Sequence, residues 1–208
     1  MTSTPAGRVL EVAPTRLDRW VAGFHERHGE GLVTRDDDLV VSASAADGAT
    51  ATFGYFPYDP VGVVLVRRGG YAVGLARDGR FVSSKVGTRY VQSRTAAGGW
   101  SQQRFARRRG NQADALADAV AEHALRILLG GNESPGPGAP DVPNGLVVGG
   151  DRTLVGQVLT DSRLRALTDR PRRELYDLPD PRRDVLDKAL ERGRAVRIHL
   201  TEPPTPPS

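Results

Sequence analysis

Two turns of fixed chemistry constrain this chain more tightly than any other feature. Three runs rich in β-branched and aromatic residues, at 63–66, 71–75 and from Phe81 onward, are separated only by Arg68-Gly69-Gly70 and by Arg77-Asp78-Gly79. Gly-Gly and Asp-Gly pairs tolerate positive φ, which tight hairpins demand, so the three runs are expected to form an antiparallel meander. The last strand of that meander delivers the chain into a strongly basic window. Residues 80–112 carry Arg80, Lys85, Arg89, Arg94, Arg104, Arg107, Arg108 and Arg109, with no Asp or Glu between Asp78 and Asp114. A one-sign segment of this length repels itself unless a solvated surface or a polyanion accepts it, and nucleic acid is the expected acceptor.

The rest of the chain supplies the elements around that window. Residues 1–14 are expected to be a flexible lead, and Pro14-Thr15 to open a helix in which Leu17, Trp20, Val21 and Phe24 recur at helical spacing. Strands are expected over 39–44 and 50–58, the second stopped by Pro57 and Pro60. After the window, Asn111 is expected to cap a helix running from Gln112 to about Leu129, with Leu116, Val120, Ala124, Ile127 and Leu128 as its apolar stripe and Gly130-Gly131 at its end. A Pro/Gly-rich loop occupies 130–145. Then come a strand at 146–148, a helix at 153–159, a strand at 174–178, a helix at 181–192 and a strand at 195–200, with 201–208 a polar, proline-rich tail. This order predicts an α/β fold, a mixed sheet with an antiparallel meander and flanking helices, in a single domain spanning 15–200.

Composition narrows the function classes. The 208 residues suffice for a buried core without staples, and a hydrophobic fraction of 38% with 26% charged is that of a soluble globular chain. With 29 basic and 25 acidic residues the net charge is only +4, so the positive charge is concentrated in the window. There is no cysteine, which excludes disulfides and thiolate metal sites, and neither a spanning apolar run nor a signal-peptide core is present. A cytoplasmic monomer with no membrane contact is expected.

The window offers few routes to chemistry. Its serines, Ser83, Ser84, Ser93 and Ser101, have no histidine within it, and His123 and His199 stand in unremarkable settings. His25 and His28 fall three apart on one helix but lack a third ligand, so they read as surface histidines. Asp59 and Asp78 are placed at turns, which leaves two-metal nuclease chemistry without ligands. Gly149-Gly150-Asp151 lacks the Walker spacing and lysine and reads as a tight β-to-α turn. What remains is Gly98-Gly99-Trp100-Ser101-Gln102-Gln103. Glycines let the backbone approach a substrate closely, and a glutamine orients a water and donates hydrogen bonds without acting as nucleophile or base. Such a stretch suits an activated ester that needs a positioned water, and peptidyl-tRNA is that kind of ester.

At these residues a resemblance becomes specific. The string KVGTRYVQSRTAAGGWSQQRFARRRGNQA, from Lys85 to Ala113, resembles the signature of the Vms-one-like release factor family, in its short bacterial, actinobacterial type. That family is similar in turn to the catalytic middle domain of eukaryotic and archaeal release factors. The resemblance implies that domain's fold, with ribonuclease-H-like topology, and a ribosome-rescue and quality-control activity without cofactor or metal: hydrolysis of peptidyl-tRNA on stalled large ribosomal subunits. It implies catalytic roles for Gln102 or Gln103, backbone freedom at Gly98 and Gly99, and contacts to rRNA or tRNA by Lys85, Arg89, Arg94, Trp100, Arg104, Arg107, Arg108 and Arg109. The sequence departs from a contiguous Gly-Gly-Gln, since Trp100 and Ser101 intervene; Ser101-Gln102 best matches the Gly-Ser-Gln arrangement of eukaryotic relatives, which ranks Gln102 ahead of Gln103. Two alternatives stand beside this reading: cleavage near the tRNA 3′ end, and a non-catalytic module that binds ribosomal RNA.

Overall fold

The computed structural model describes residues 7–35, 39–88, 101–131 and 142–203, with 101–109 described as backbone only. In chain order they form β1 (Gly7–Val12), a 3-10 turn at Pro14–Arg16 leading into α1 (Leu17–His28), β2 (Gly31–Arg35), β3 (Val40–Ala45), β4 (Thr50–Gly54), β5 (Val61–Arg67), β6 (Gly70–Arg77), β7 (Arg80–Thr88), α2 (Ser101–Leu129), β8 (Gly145–Gly150), α3 (Arg152–Leu159), a 3-10 segment at Ser162–Leu167, β9 (Arg172–Leu175), α4 (Arg183–Arg194) and β10 (Val196–Thr201). The fold is α/β, but the strands close into two five-stranded sheets rather than one. Pro57 and Pro60 break the chain between β4 and β5, and β10 pairs with β1 and β4 instead of extending the sheet that holds β9. The contacts divide into two compact units, Met1–Pro57 with Arg194–Ser208, and Tyr58–Gly193.

The first unit is an antiparallel sheet in the order β1-β10-β4-β3-β2. Alternation turns Ala43, Ala51, Phe53, Val196, Ile198 and Leu200 to one face, where they pack with Phe24 of α1. Trp20 stacks on Phe24 and meets Phe53 edge-on, both at 5.6 Å between ring centroids. Residues 7–12, read from sequence as part of a flexible lead, are a strand here. Leu10 and Val12 pack against that core, and the strand's partner, β10, lies at the far end of the chain.

The second unit builds its sheet in the order β7-β6-β5-β8-β9, with β5-β6 and β6-β7 antiparallel and β5-β8 and β8-β9 parallel. The meander is therefore present, and its Asp78-Gly79 turn takes φ of +51° and +75°. Val64, Val66, Val73, Leu75, Leu146 and Val148 pack on one face against the apolar stripe of α2 and the buried side of α3. On the opposite face, Val147 receives Gly193 of α4, where a Cβ would lie only 2.3 Å from Val147 Cγ2. Helices on both faces explain why β5 and β8 are buried almost throughout and read as unbroken apolar runs.

Candidate functional site

Strand directions decide where the basic window leaves the sheet. β7 is antiparallel to β6 and β6 to β5, so β7 points the same way as β5, β8 and β9. The carboxyl ends of these four strands share one edge. The chain leaves β7 at that edge and returns through α2 to begin β8 beside Val61, at the opposite edge. Leu128, near the end of α2, lies 3.3 Å from where a Cβ of Gly62 would stand, which fixes the helix C-terminus at the start of β5. The helix therefore starts on the carboxyl edge, where ligands gather in open α/β sheets.

α2 is longer than the sequence predicts. The sequence reading starts it at Gln112 with Asn111 as cap; the structure starts it at Ser101, and it runs for 29 residues. Gln, Arg and Ala dominate 102–109 and favour helix strongly enough to carry it through Gly110 and Asn111, which lie inside the helix. Among the side chains described, from Gly110 on, Leu116 is the first that is fully buried, with Ala113 partly buried and Gly110 and Asn111 exposed. Among these side chains Ala113 is the first to pack on the core, and at 1.5 Å per residue about 18 Å of helix precedes it. Gln102 and Gln103, expected in a loop, have helical backbone in the first turn of this extension, and Arg104, Arg107, Arg108 and Arg109 follow in its next turns. The first turn contains no acid, so the positive end of the helix dipole is not offset by a carboxylate there. Arg89, Arg94, Gly98, Gly99 and Trp100 lie outside the described residues.

Lys85 sits on β7 opposite Val73, and so on the face covered by α2. There a cluster appears that the sequence reading missed. His123 of α2 stacks on Tyr71 with 5.1 Å between ring centroids and 19° between planes. The Tyr71 ring in turn lies on Gly87, where a Cβ would stand 2.4 Å from its Cζ. Arg126, one helical turn on, donates from Nη2 to His123 Nδ1. Burial holds the His123 pKa below its ordinary value, and the positive charges of Arg126 and Lys85 push it the same way. From its place on the helix alone, His123 reads as a packing or surface residue. The cluster joins three elements, and no local spacing announces it.

The remaining polar motifs hold the fold. Asp59 Oδ1 accepts from the Asp78 backbone N–H at 3.0 Å, tying the ends of β5 and β6 together on the edge away from the start of α2. Gly150 takes φ of +105° and has no room for a Cβ, which would lie 2.1 Å from Val66 O. Asp151 caps α3, accepting from the backbone N–H groups of Thr153 at 2.9 Å and Leu154 at 3.2 Å. Those donors are taken by a carboxylate, so this glycine turn is a cap and no phosphate cradle. His28 Nδ1 lies 2.8 Å from Asp47 Oδ2. Among the described residues no three metal-ligand side chains converge, and no helix is long and apolar enough to cross a membrane.

A comparison with curated proteins finds no match. Residues 59–199 match the family described as Actinobacteria/chloroflexi VLRF1 release factor, a span that takes in nearly all of the second unit and runs into β10. The match covers more than half of the chain, and the chain belongs to that release factor family, with the ribosome association this implies.

Proposed function

We propose that this protein is a peptidyl-tRNA hydrolase that frees nascent chains from stalled large ribosomal subunits in the cytoplasm. The observation that carries the reading is the N-terminal extension of α2. A release factor family member holds two glutamines at the start of a 29-residue helix, about 18 Å ahead of Ala113, the first of its described side chains to pack on the core, behind a window with no acidic residue. An amide side chain cannot attack the ester, but it can hold a water in line with the carbonyl and donate to the developing oxyanion. Gly98 and Gly99 supply the backbone freedom with which the arm adapts to the peptidyl transferase centre, and Trp100 stacks on a base. Arg104, Arg107, Arg108 and Arg109, with Lys85, Arg89 and Arg94, hold ribosomal or transfer RNA by its phosphates. No cofactor takes part, and the protein acts as a monomer.

The test separates chemistry from binding. In Gln102→Ala and Gln103→Ala variants, ribosome binding is expected to persist, while one of the two slows release by about 100- to 1,000-fold, the effect of removing a transition-state donor. If both variants release peptide at the unaltered rate, the assigned chemistry is wrong. A chain that binds and never releases is the non-catalytic module instead.

A further inference from the structure

Lys85, His123 and Arg126 come from an edge strand and a helix and meet on the α2 face of the second unit's sheet. The His123 ring is held rigidly, stacked on Tyr71, which itself rests on Gly87. Because Arg126 donates to Nδ1, that nitrogen accepts, and the ring proton of the neutral imidazole belongs on Nε2. The Nε2–H is thereby fixed as a donor, and among the described residues it makes no hydrogen bond. Lys85 and Arg126 are both exposed, and among the described residues neither has a carboxylate within ion-pair distance. Among the described residues, Glu122 is the one acid that acts on the ring. Two cations and one oriented N–H donor on an open surface are the complement of a phosphodiester, whose two non-bridging oxygens accept from all three.

We propose that Lys85, assigned above to the RNA-binding set, makes its contact together with His123 and Arg126, as a phosphodiester site about 30 Å along α2 from Gln102. The inference rests on the reading of the chain as an RNA-bound release factor and extends it. The arm reaches the ester, while this site grips the same RNA, or its neighbour, one helix length away and sets the angle at which the arm enters. An open site of this kind holds a lone phosphate weakly. It becomes effective when the rest of the polymer is already anchored by the arginines of the arm.

The experiment measures binding of the full chain to a fluorescent RNA hairpin with a single-stranded 3′ end, by anisotropy across a salt series. The Lys85→Ala/Arg126→Ala double variant is expected to show a log Kd against log salt slope shallower by about one to two units than the unaltered chain. Lys85→Arg/Arg126→Lys, which keeps the charges, is expected to keep the slope. Lys188→Ala, at an exposed position of α4, is expected to change neither, and equal unfolding midpoints establish that the variants are folded. In parallel, the His123 ring resonances are expected to shift on titration with the hairpin, saturating at the same Kd. An unchanged slope in the double variant overturns the proposal. So does a His123 response to millimolar inorganic phosphate with none to RNA, which would make this a small-anion site. Because the readout is binding, it fails or holds independently of whether Gln102 or Gln103 supports release.

Discussion

A Cβ at position 193 would stand 2.3 Å from Val147 Cγ2, so α4 reaches β8 only by carrying glycine at the crossing. Gly193→Ala is expected to lower stability by roughly 1–3 kcal/mol through overpacking. Gly110 is the opposite case: a Cβ there meets nothing within 4 Å. Gly110→Ala is therefore expected to raise stability by about 0.5–1 kcal/mol, the ordinary gain for a helix interior. Urea unfolding midpoints check both, and a shift in the same direction for the two variants would contradict the packing described. At His123 the sign runs through protonation. Burial, then Arg126 and Lys85, hold its folded pKa below 6.5, so as pH falls the unfolded chain takes up the proton first. Stability is expected to be level above about pH 7.5 and to decline as pH drops through the interval between the ordinary and the folded value. His123→Gln should remove that decline, and an unaltered pH profile in that variant would refute the assignment.

Among the elements, α2 shows where sequence signals end. Its buried stripe from Leu116 to Leu128 was legible from helical spacing alone, because those positions face a sheet. Its start was not. Gly110-Asn111 carries the chemistry of a cap, yet helix formers on both sides keep the helix running through it at a cost of about 1 kcal/mol. β1 and β2 were invisible for other reasons. β1 takes its register from β10, at the other end of the chain, and β2 is exposed at every position and shows no alternation. β5 to β7 were legible because their turns are local. The second takes positive φ at Asp78 and Gly79, while at the first neither Gly69 nor Gly70 does, and Gly70 is required because a Cβ there would lie 2.6 Å from Gly87 O. If the extension of α2 contacts phosphates, the Arg107→Ala/Arg108→Ala/Arg109→Ala variant is expected to bind ribosomal RNA with a salt slope lower by about two to three units. A fall in affinity at every salt concentration with the slope unchanged would place those arginines outside the interface.

Over the whole molecule, the sequence order implied one sheet where the chain builds two, and the reason is a single return. β10 closes the first sheet between β1 and β4, a pairing across most of the chain's length that no local pattern encodes. The order of elements from β5 to α4 was nevertheless legible. It is the part that carries the parallel crossover through α2, with the helix start and the ends of the parallel strands on one edge. The family match follows the same segment, beginning at residue 59 and ending at residue 199. If this crossover presents a glutamine to an aminoacyl ester, as proposed, the identity of the products shows it. Purified large ribosomal subunits carrying peptidyl-tRNA labelled on both peptide and RNA are incubated with the full chain. Free peptide is expected, together with tRNA that keeps every 3′-terminal nucleotide. Peptide that leaves still attached to a tRNA fragment, or no release from subunits to which the chain is bound, would contradict it.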